Sequence, residues 1–135
     1  NDITVVSYGS TVNIVLEAAD VLRHSGIKIE VIDVQTLIPF DRKKIISASL
    51  NKTNRLMIVD EDVPGGGSGY ILSELIKNQD IYSLLDCNPV LLTAKDHRPA
   101  YGTDGDYFSK PSKEDIYEEA YKIMHESNPK KYPEI

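Results

Sequence analysis

Two alternating kinds of periodicity restrict what this chain can fold into more than any other feature. Four short apolar runs read as buried strands, at Ile3 to Tyr8, Lys28 to Asp33, Arg55 to Val59 and Pro89 to Thr93. Between them, apolar residues recur at helical spacing. Ile14, Val15, Ala18, Ala19 and Leu22 share one face of a first helix. Ile45, Ile46 and Leu50 do so in a second, and Ile71, Leu72, Leu75 and Ile76 in a third. After the fourth strand, Ile116, Ala120, Ile123 and Met124 give a last helix its stripe. Strand-helix alternation with short connections predicts right-handed crossovers and a parallel sheet covered on both faces, a three-layer α/β/α fold.

The punctuation agrees with this order. Gly26 suits the positive φ that ends a helix, and His24 lies in the last turn before it, at the negative end of the helix dipole. Thr36 to Phe40 reads as a connection. Pro39 forbids a helix there, and Asp41 is placed to cap the helix that follows. Ser68 is expected to cap the third helix. Ser112 and Asp115 have capping-box spacing. Lys95 to Lys110 has few apolar anchors and reads as a surface loop. With 135 residues, the chain builds one core. Residues 1–127 are expected to form one domain and 128–135 a polar tail. The first residue is Asn1, which suggests a piece of a longer protein.

Composition narrows the function. Asp and Glu outnumber Lys and Arg, 21 to 15, so nucleic acid is a poor partner and a basic protein a better one. The single cysteine, Cys87, forbids an internal disulfide and fits a reducing compartment. No run is apolar for long enough to cross a membrane.

Each candidate for chemistry has an ordinary structural counterpart. Gly65-Gly66-Gly67-Ser68-Gly69, between a strand and a helix, is placed to offer backbone N–H groups to a phosphate. Its spacing matches neither the dinucleotide fingerprint, since Tyr70 stands where the third glycine belongs, nor the P-loop. A closely packed turn is the plainer reading. Asp60, Glu61 and Asp62 are oxygen donors suited to Mg²⁺, yet successive residues of an extended chain point apart, and a solvated strand end explains them better. Asp60 with Thr93 and Lys95 has the layout of a phosphoacceptor site. The metal cage such a site needs after the first strand is replaced by Tyr8, Gly9 and Ser10. His97 and Arg98, beside Asp96, have no nucleophile nearby and read as contact residues. His125 reads as exposed, and Cys87 as a packing residue. No complete active site emerges: no catalytic, cofactor-binding or metal-ligating residue is assigned.

Several segments together resemble the C-terminal domain of thiamine-dependent 2-oxoacid dehydrogenases, in the decarboxylating component's beta subunit. Thr4-Val5-Val6-Ser7-Tyr8-Gly9-Ser10 resembles the first strand and turn of the transketolase C-terminal domain. Val31 to Asp41, with Thr36-Leu37, Pro39 and Asp41, is the most specific block. Arg55 to Asp62 with the glycines and Glu74, then Leu85-Asp86, Pro89-Val90, Asp96 and Pro99, continue it to about His125. The resemblance implies an assembly domain of an oxidoreductase. It implies thiamine diphosphate and Mg²⁺ in the parent enzyme but not in this chain, where the Gly-Asp-Gly cofactor motif does not occur. It implies three partners: the enzyme's thiamine-binding domains, a two-fold mate, and the basic subunit-binding domain of an acyltransferase core held through Asp86. Cys87 and Asn88 add one residue between Asp86 and Pro89 relative to the family's spacing. It also implies an antiparallel first strand, a cytoplasmic or mitochondrial-matrix location and, among substrates, branched-chain 2-oxo acids ahead of pyruvate. Two other readings stay open: a transketolase or deoxyxylulose phosphate synthase relative, and a freestanding flavodoxin-like module binding a nucleotide at Gly65 to Gly69.

Overall fold

A computed structural model describes residues 2–34, 44–60, 67–93, 95–96, 108–109 and 111–133. Four strands, β1 (Ile3–Ser7), β2 (Ile29–Asp33), β3 (Leu56–Val59) and β4 (Val90–Leu92), form one sheet in the order β2-β1-β3-β4. Helices α1 (Thr11–His24), α2 (Ile45–Thr53), α3 (Gly67–Gln79) and α4 (Lys113–Ser127) surround it. A 3-10 turn at Ile81–Leu84 precedes β4.

All four strands are parallel. β1 pairs with β2 from Ile3↔Ile29 to Ser7↔Asp33 and with β3 from Thr4↔Leu56 to Ser7↔Val59, while β3 pairs with β4 from Met57↔Val90 to Val59↔Leu92. The antiparallel first strand implied by the family resemblance is therefore incorrect. The physical reason is the connection itself. A helix returns the chain from the end of β1 to the start of β2, and another does so from β2 to β3, so each strand sets out in the same direction.

Residue alternation along the strands assigns the layers. Ile3, Val5, Met57 and Val59 point to one side, where Val15, Ala18 and Leu22 of α1 meet Ile116, Ala120, Ile123 and Met124 of α4. Val6, Leu56 and Ile58 point to the other, against Ile46 and Leu50 of α2, Ile71 and Leu75 of α3, and Ile81. Each such fully buried aliphatic side chain contributes about 1.5–3 kcal/mol. Thr4, at an alternate position, faces α2 and is buried. Its hydroxyl lies 2.7 Å from both Ser49 Oγ and Thr53 Oγ1, so the polar group keeps its partners out of water.

Helix ends follow the sequence closely where they are described. Gly26 (φ 81°) closes α1 in a Schellman arrangement. Ile27 N–H donates to Leu22 O at 3.0 Å and Gly26 N–H to Arg23 O at 3.1 Å, with Ile27 and Leu22 both in the core. Ser112 Oγ accepts from Asp115 N–H at 3.1 Å, and the Asp115 carboxylate accepts from Ser112 N–H at 2.9 Å, which is the expected capping box.

Four expectations need correction. Ile45 and Ile76 are exposed: each stands at the border of its helix's apolar stripe, beyond the cover of the sheet. The reading of Lys95 to Lys110 as a loop omits an antiparallel ribbon, β5 (Lys95–Asp96) with β6 (Phe108–Ser109). The polar tail includes a core residue, because Tyr132 is buried against α4. Finally, α3 begins at Gly67, one residue ahead of the expected Ser68 cap. The Thr36 to Phe40 connection and Asp41 lie outside the described residues.

Candidate functional site

In an open α/β sheet, a ligand crevice forms beyond the carboxyl ends of the strands, where neighbouring connections diverge. Here the strand order places that point between β1 and β3. The chain fills it with its own side chains. Tyr8 follows β1, Asp60 follows β3, and Gly67 opens α3. A Cβ on Gly67 would overlap Tyr8 Oη and stand 3.0 Å from Asp60 Oδ2. A side chain at this position would force Tyr8 to shift. Below it, Ser7 Oγ donates to Val59 O at 2.9 Å and lies 2.7 Å from Thr11 Oγ1, which donates to Tyr8 O at 2.8 Å. Asp60 N–H donates to Leu92 O at 3.0 Å, which ties the strand end to β4.

This geometry speaks against phosphate binding at the described part of the glycine turn. The side of Gly67 that a Cβ would occupy is taken by the Tyr8 phenol and the Asp60 carboxyl group, and a carboxylate beside the helix start disfavours a second anion there. Among the described residues no three His, Cys, Asp or Glu gather to hold a metal ion. Asp60 is fully buried, which corrects its reading as a solvated strand end. Gly65, Gly66, Glu61, Asp62, His97 and Arg98 lie outside the described residues. Sequence reasoning passed over Tyr8 and Gly67 as a pair. The signal available was a bulky residue, in place of a small one, directly after a central strand.

The opposite end of the sheet is polar and open. Asp86 is exposed, on the turn just before β4. Asn54, the left-handed residue that ends α2 (φ 60°), grips that turn twice. Its side-chain amide donates to Leu84 O at 2.7 Å, and its carbonyl accepts from Asp86 N–H at 2.8 Å. Next to Asn54, Arg55 donates to Asp2 O at 3.1 Å and to Ser127 Oγ at 2.6 Å, joining the chain's first strand to the end of α4. Cys87 is exposed, which corrects its reading as a packing residue. Partial burial of the thiol pushes its pKa up. Asp86 and Glu126 add to that effect, and Arg55 opposes it. The result is a poor nucleophile at neutral pH. His125 is half-buried, not exposed, and its Nδ1 is 2.7 Å from Tyr132 O. A carbonyl only accepts, so Nδ1 carries the proton.

The family model for the transketolase C-terminal domain matches residues 1–116. The chain belongs to this family. Among relatives of this transketolase C-terminal domain is the "Pyruvate dehydrogenase E1 component subunit beta" of Rickettsia felis, 31% identical over 127 residues, which are 94% of this chain and 38% of the relative. The mitochondrial pyruvate dehydrogenase E1 component subunit beta of Pisum sativum is 33% identical over 129 residues, covering 95% and 35%. The acetoin:2,6-dichlorophenolindophenol oxidoreductase subunit beta of Bacillus subtilis is 38% identical over 99 residues, covering 73% and 28%. The chain thus spans about a third of the length of the curated relatives it matches. A solved split-gene transketolase, described as an inactive beta4 tetramer, superposes with a TM-score of 0.63 at 23% identity, over 90% of this chain and 37% of that one, and so shares the fold. No helix among the described residues is long and apolar enough to cross a membrane.

Proposed function

We propose that this domain is the assembly part of an oxidoreductase that decarboxylates a short 2-oxo acid with thiamine diphosphate and Mg²⁺ held by the rest of the protein. The observation that carries the reading is the pairing of a self-filled switch point with a rigidly presented Asp86 at the other end of the sheet. A domain built to bind its own cofactor would leave the first open. A domain built to dock would fix the second.

On this reading Asp86 offers a carboxylate to a basic docking segment of an acyltransferase core, and the two-fold mate and thiamine-binding domains pack on other faces. Two hydrogen bonds, one donated by the Asn54 side chain and one accepted by its backbone carbonyl, fix the turn before the partner arrives, so less conformational freedom is lost on docking. A net charge of -6 draws a basic partner and speeds its encounter. The names of the pyruvate dehydrogenase relatives support pyruvate ahead of branched-chain 2-oxo acids. A reducing compartment, the cytoplasm or mitochondrial matrix, fits the unpaired cysteine.

The test is a decarboxylation assay on the complete polypeptide with thiamine diphosphate and Mg²⁺, across pyruvate, 2-oxoisovalerate and 2-oxoglutarate. Turnover of one substrate is expected. Silence from protein that binds the cofactor would point to a transketolase-type reaction, and failure to bind it would return the chain to the class of freestanding modules. The docking role is tested by Asp86→Ala, which is expected to weaken capture of the basic docking domain about tenfold or more, as loss of a charged interface group does.

A further inference from the structure

The segment that follows α4, residues 128–133, is attached to the domain by few contacts. Ser127 ends α4 and is pinned by Arg55, whose Nη2 donates to its Oγ at 2.6 Å. Asn128 then leaves the helix (φ -150°, ψ 84°), although its N–H still donates to Met124 O at 2.9 Å. A fixed point is thus followed at once by a change of backbone direction, and hinges sit at such element ends.

Beyond Asn128 the segment bonds largely to itself. Tyr132 N–H donates to Asn128 O at 3.0 Å, and Lys131 N–H to Asn128 Oδ1 at 3.2 Å. Pro129 and Pro133 have no N–H to donate. Lys131 Nζ stands over the Tyr132 ring, 5.4 Å from its centroid. These contacts travel with the segment when it moves. Its ties to the rest of the domain centre on Tyr132, its one buried residue. The ring meets Tyr121 edge to face at 6.2 Å. Tyr121 Oη donates to Pro133 O at 2.6 Å, and His125 Nδ1–H donates to Tyr132 O at 2.7 Å. One group opposes these ties. The Tyr132 hydroxyl is buried with no hydrogen-bond partner among the described residues. In water that hydroxyl is hydrated, so its burial offsets part of what the ring gains.

We propose that residues 128–133 form a latch on α4 that opens as a unit while the rest of the domain stays folded. A short segment with one buried side chain and two hydrogen bonds to its support opens at far lower cost than the whole fold. Opening bares the Tyr121 hydroxyl, the His125 ring N–H and the socket of the Tyr132 ring, all at one place on α4. Closing engages both donors with the chain's own carbonyls. The latch therefore decides whether Tyr121 and His125 are available to another molecule. It does not depend on the docking role of Asp86.

The experiment is limited trypsin digestion of the chain, with the cut sites located by mass spectrometry. Cleavage after Lys130 or Lys131 needs the turn to unfold, so its rate follows opening of the latch. These cuts are expected well before a cut at Lys122 inside α4, and low urea should barely change their rate, because little surface is exposed. Tyr132→Phe removes the unpartnered hydroxyl and should slow them about fivefold. Tyr121→Phe keeps the ring but removes a donor, and should speed them about threefold. Cuts that appear only together with cleavage in α4, and that rise steeply with urea, would mean that the segment opens only with the whole domain, and would overturn the proposal. So would faster cleavage of Tyr132→Phe, or rates that neither variant alters.

Discussion

At the carboxyl end of the sheet, Asp60 is buried beside Tyr8 and Gly67, and its backbone is tied to β4. At the amino end Asp86 stands exposed, on a turn held from below by Asn54. Both are aspartates at strand termini, and nothing in their immediate sequence separates an internal brace from a docking group. The difference lies in what stands opposite. Asp60 faces the start of a helix across a gap closed by a tyrosine, whereas Asp86 follows a short 3-10 turn that carries it out into solvent. A parallel sheet offers two ends, and this domain uses the usual ligand end to lock itself together. Its unused polar groups are left at the other end.

The comparison is most sharply tested at Gly67. Alanine there gains well under the roughly 1 kcal/mol of helix propensity it would gain in a helix interior, because Gly67 is the first residue of α3. It also drives a methyl group into Tyr8 Oη and towards Asp60. Overpacking of this kind costs about 1–3 kcal/mol, so the clash wins and Gly67→Ala is expected to lower stability by about 1–2 kcal/mol in urea unfolding. Tyr8→Phe removes the nearest atom and should return part of that loss in a double-mutant cycle. If Gly67→Ala instead stabilises the protein, the switch point is not closed, and ligand binding at the glycine turn regains its standing.

A smaller loss is expected from Arg55→Ala at the other end. Arg55 joins Asp2 and Ser127 through two hydrogen bonds from a charged donor to a partly exposed site, and solvent offsets much of their value. About 1 kcal/mol of stability should be lost, in line with the usual net worth of such bonds. The same variant reports on Cys87. Arg55 is the group that opposes the rise of the thiol pKa, so removing it raises that pKa further. Less thiolate is present at any pH below it, and alkylation at pH 8 should be slower than in the parent. The parent should itself react more slowly than a free cysteine peptide. A faster reaction in either comparison would mean that Asp86, Glu126 and Arg55 do not share one neighbourhood.

The layout of the molecule was legible because it depends on local signals. Strand alternation, the Gly26 stop and the Ser112–Asp115 box are each decided within a few residues, and the succession of strands and helices already implied a parallel sheet. The family resemblance, by contrast, implied the wrong direction for β1. What was hidden depends on distant residues meeting. Tyr8, Asp60 and Gly67 come together only once β1 and β3 are neighbours. Ile45 and Ile76 have the right spacing for the core but stand at the edges of their helices' buried faces, exposed beside Ile46 and Leu75. Tyr132 looks like part of a polar tail because its neighbours are polar. Its ring packs against α4 and the His125 and Tyr121 side chains bond the carbonyls of Tyr132 and Pro133, while its Oη is buried with no hydrogen-bond partner among the described residues.

The smallest effect is expected at Asp86 itself. Asp86→Ala removes a side chain that faces solvent, while the backbone N–H that Asn54 accepts from remains in place. Surface substitutions away from caps and buried networks stay within about 0.5 kcal/mol, so thermal and urea unfolding should barely move. Removing a negative charge next to Cys87 should also let its thiol ionise more readily, a shift opposite to that of Arg55→Ala. A stability loss above about 1 kcal/mol would mean that the carboxylate braces its own turn, as Asp60 braces the other end. The two ends would then be alike. Unchanged stability with a quicker thiol would leave Asp86 as a carboxylate held in place by the fold but not used by it, and therefore available to a partner.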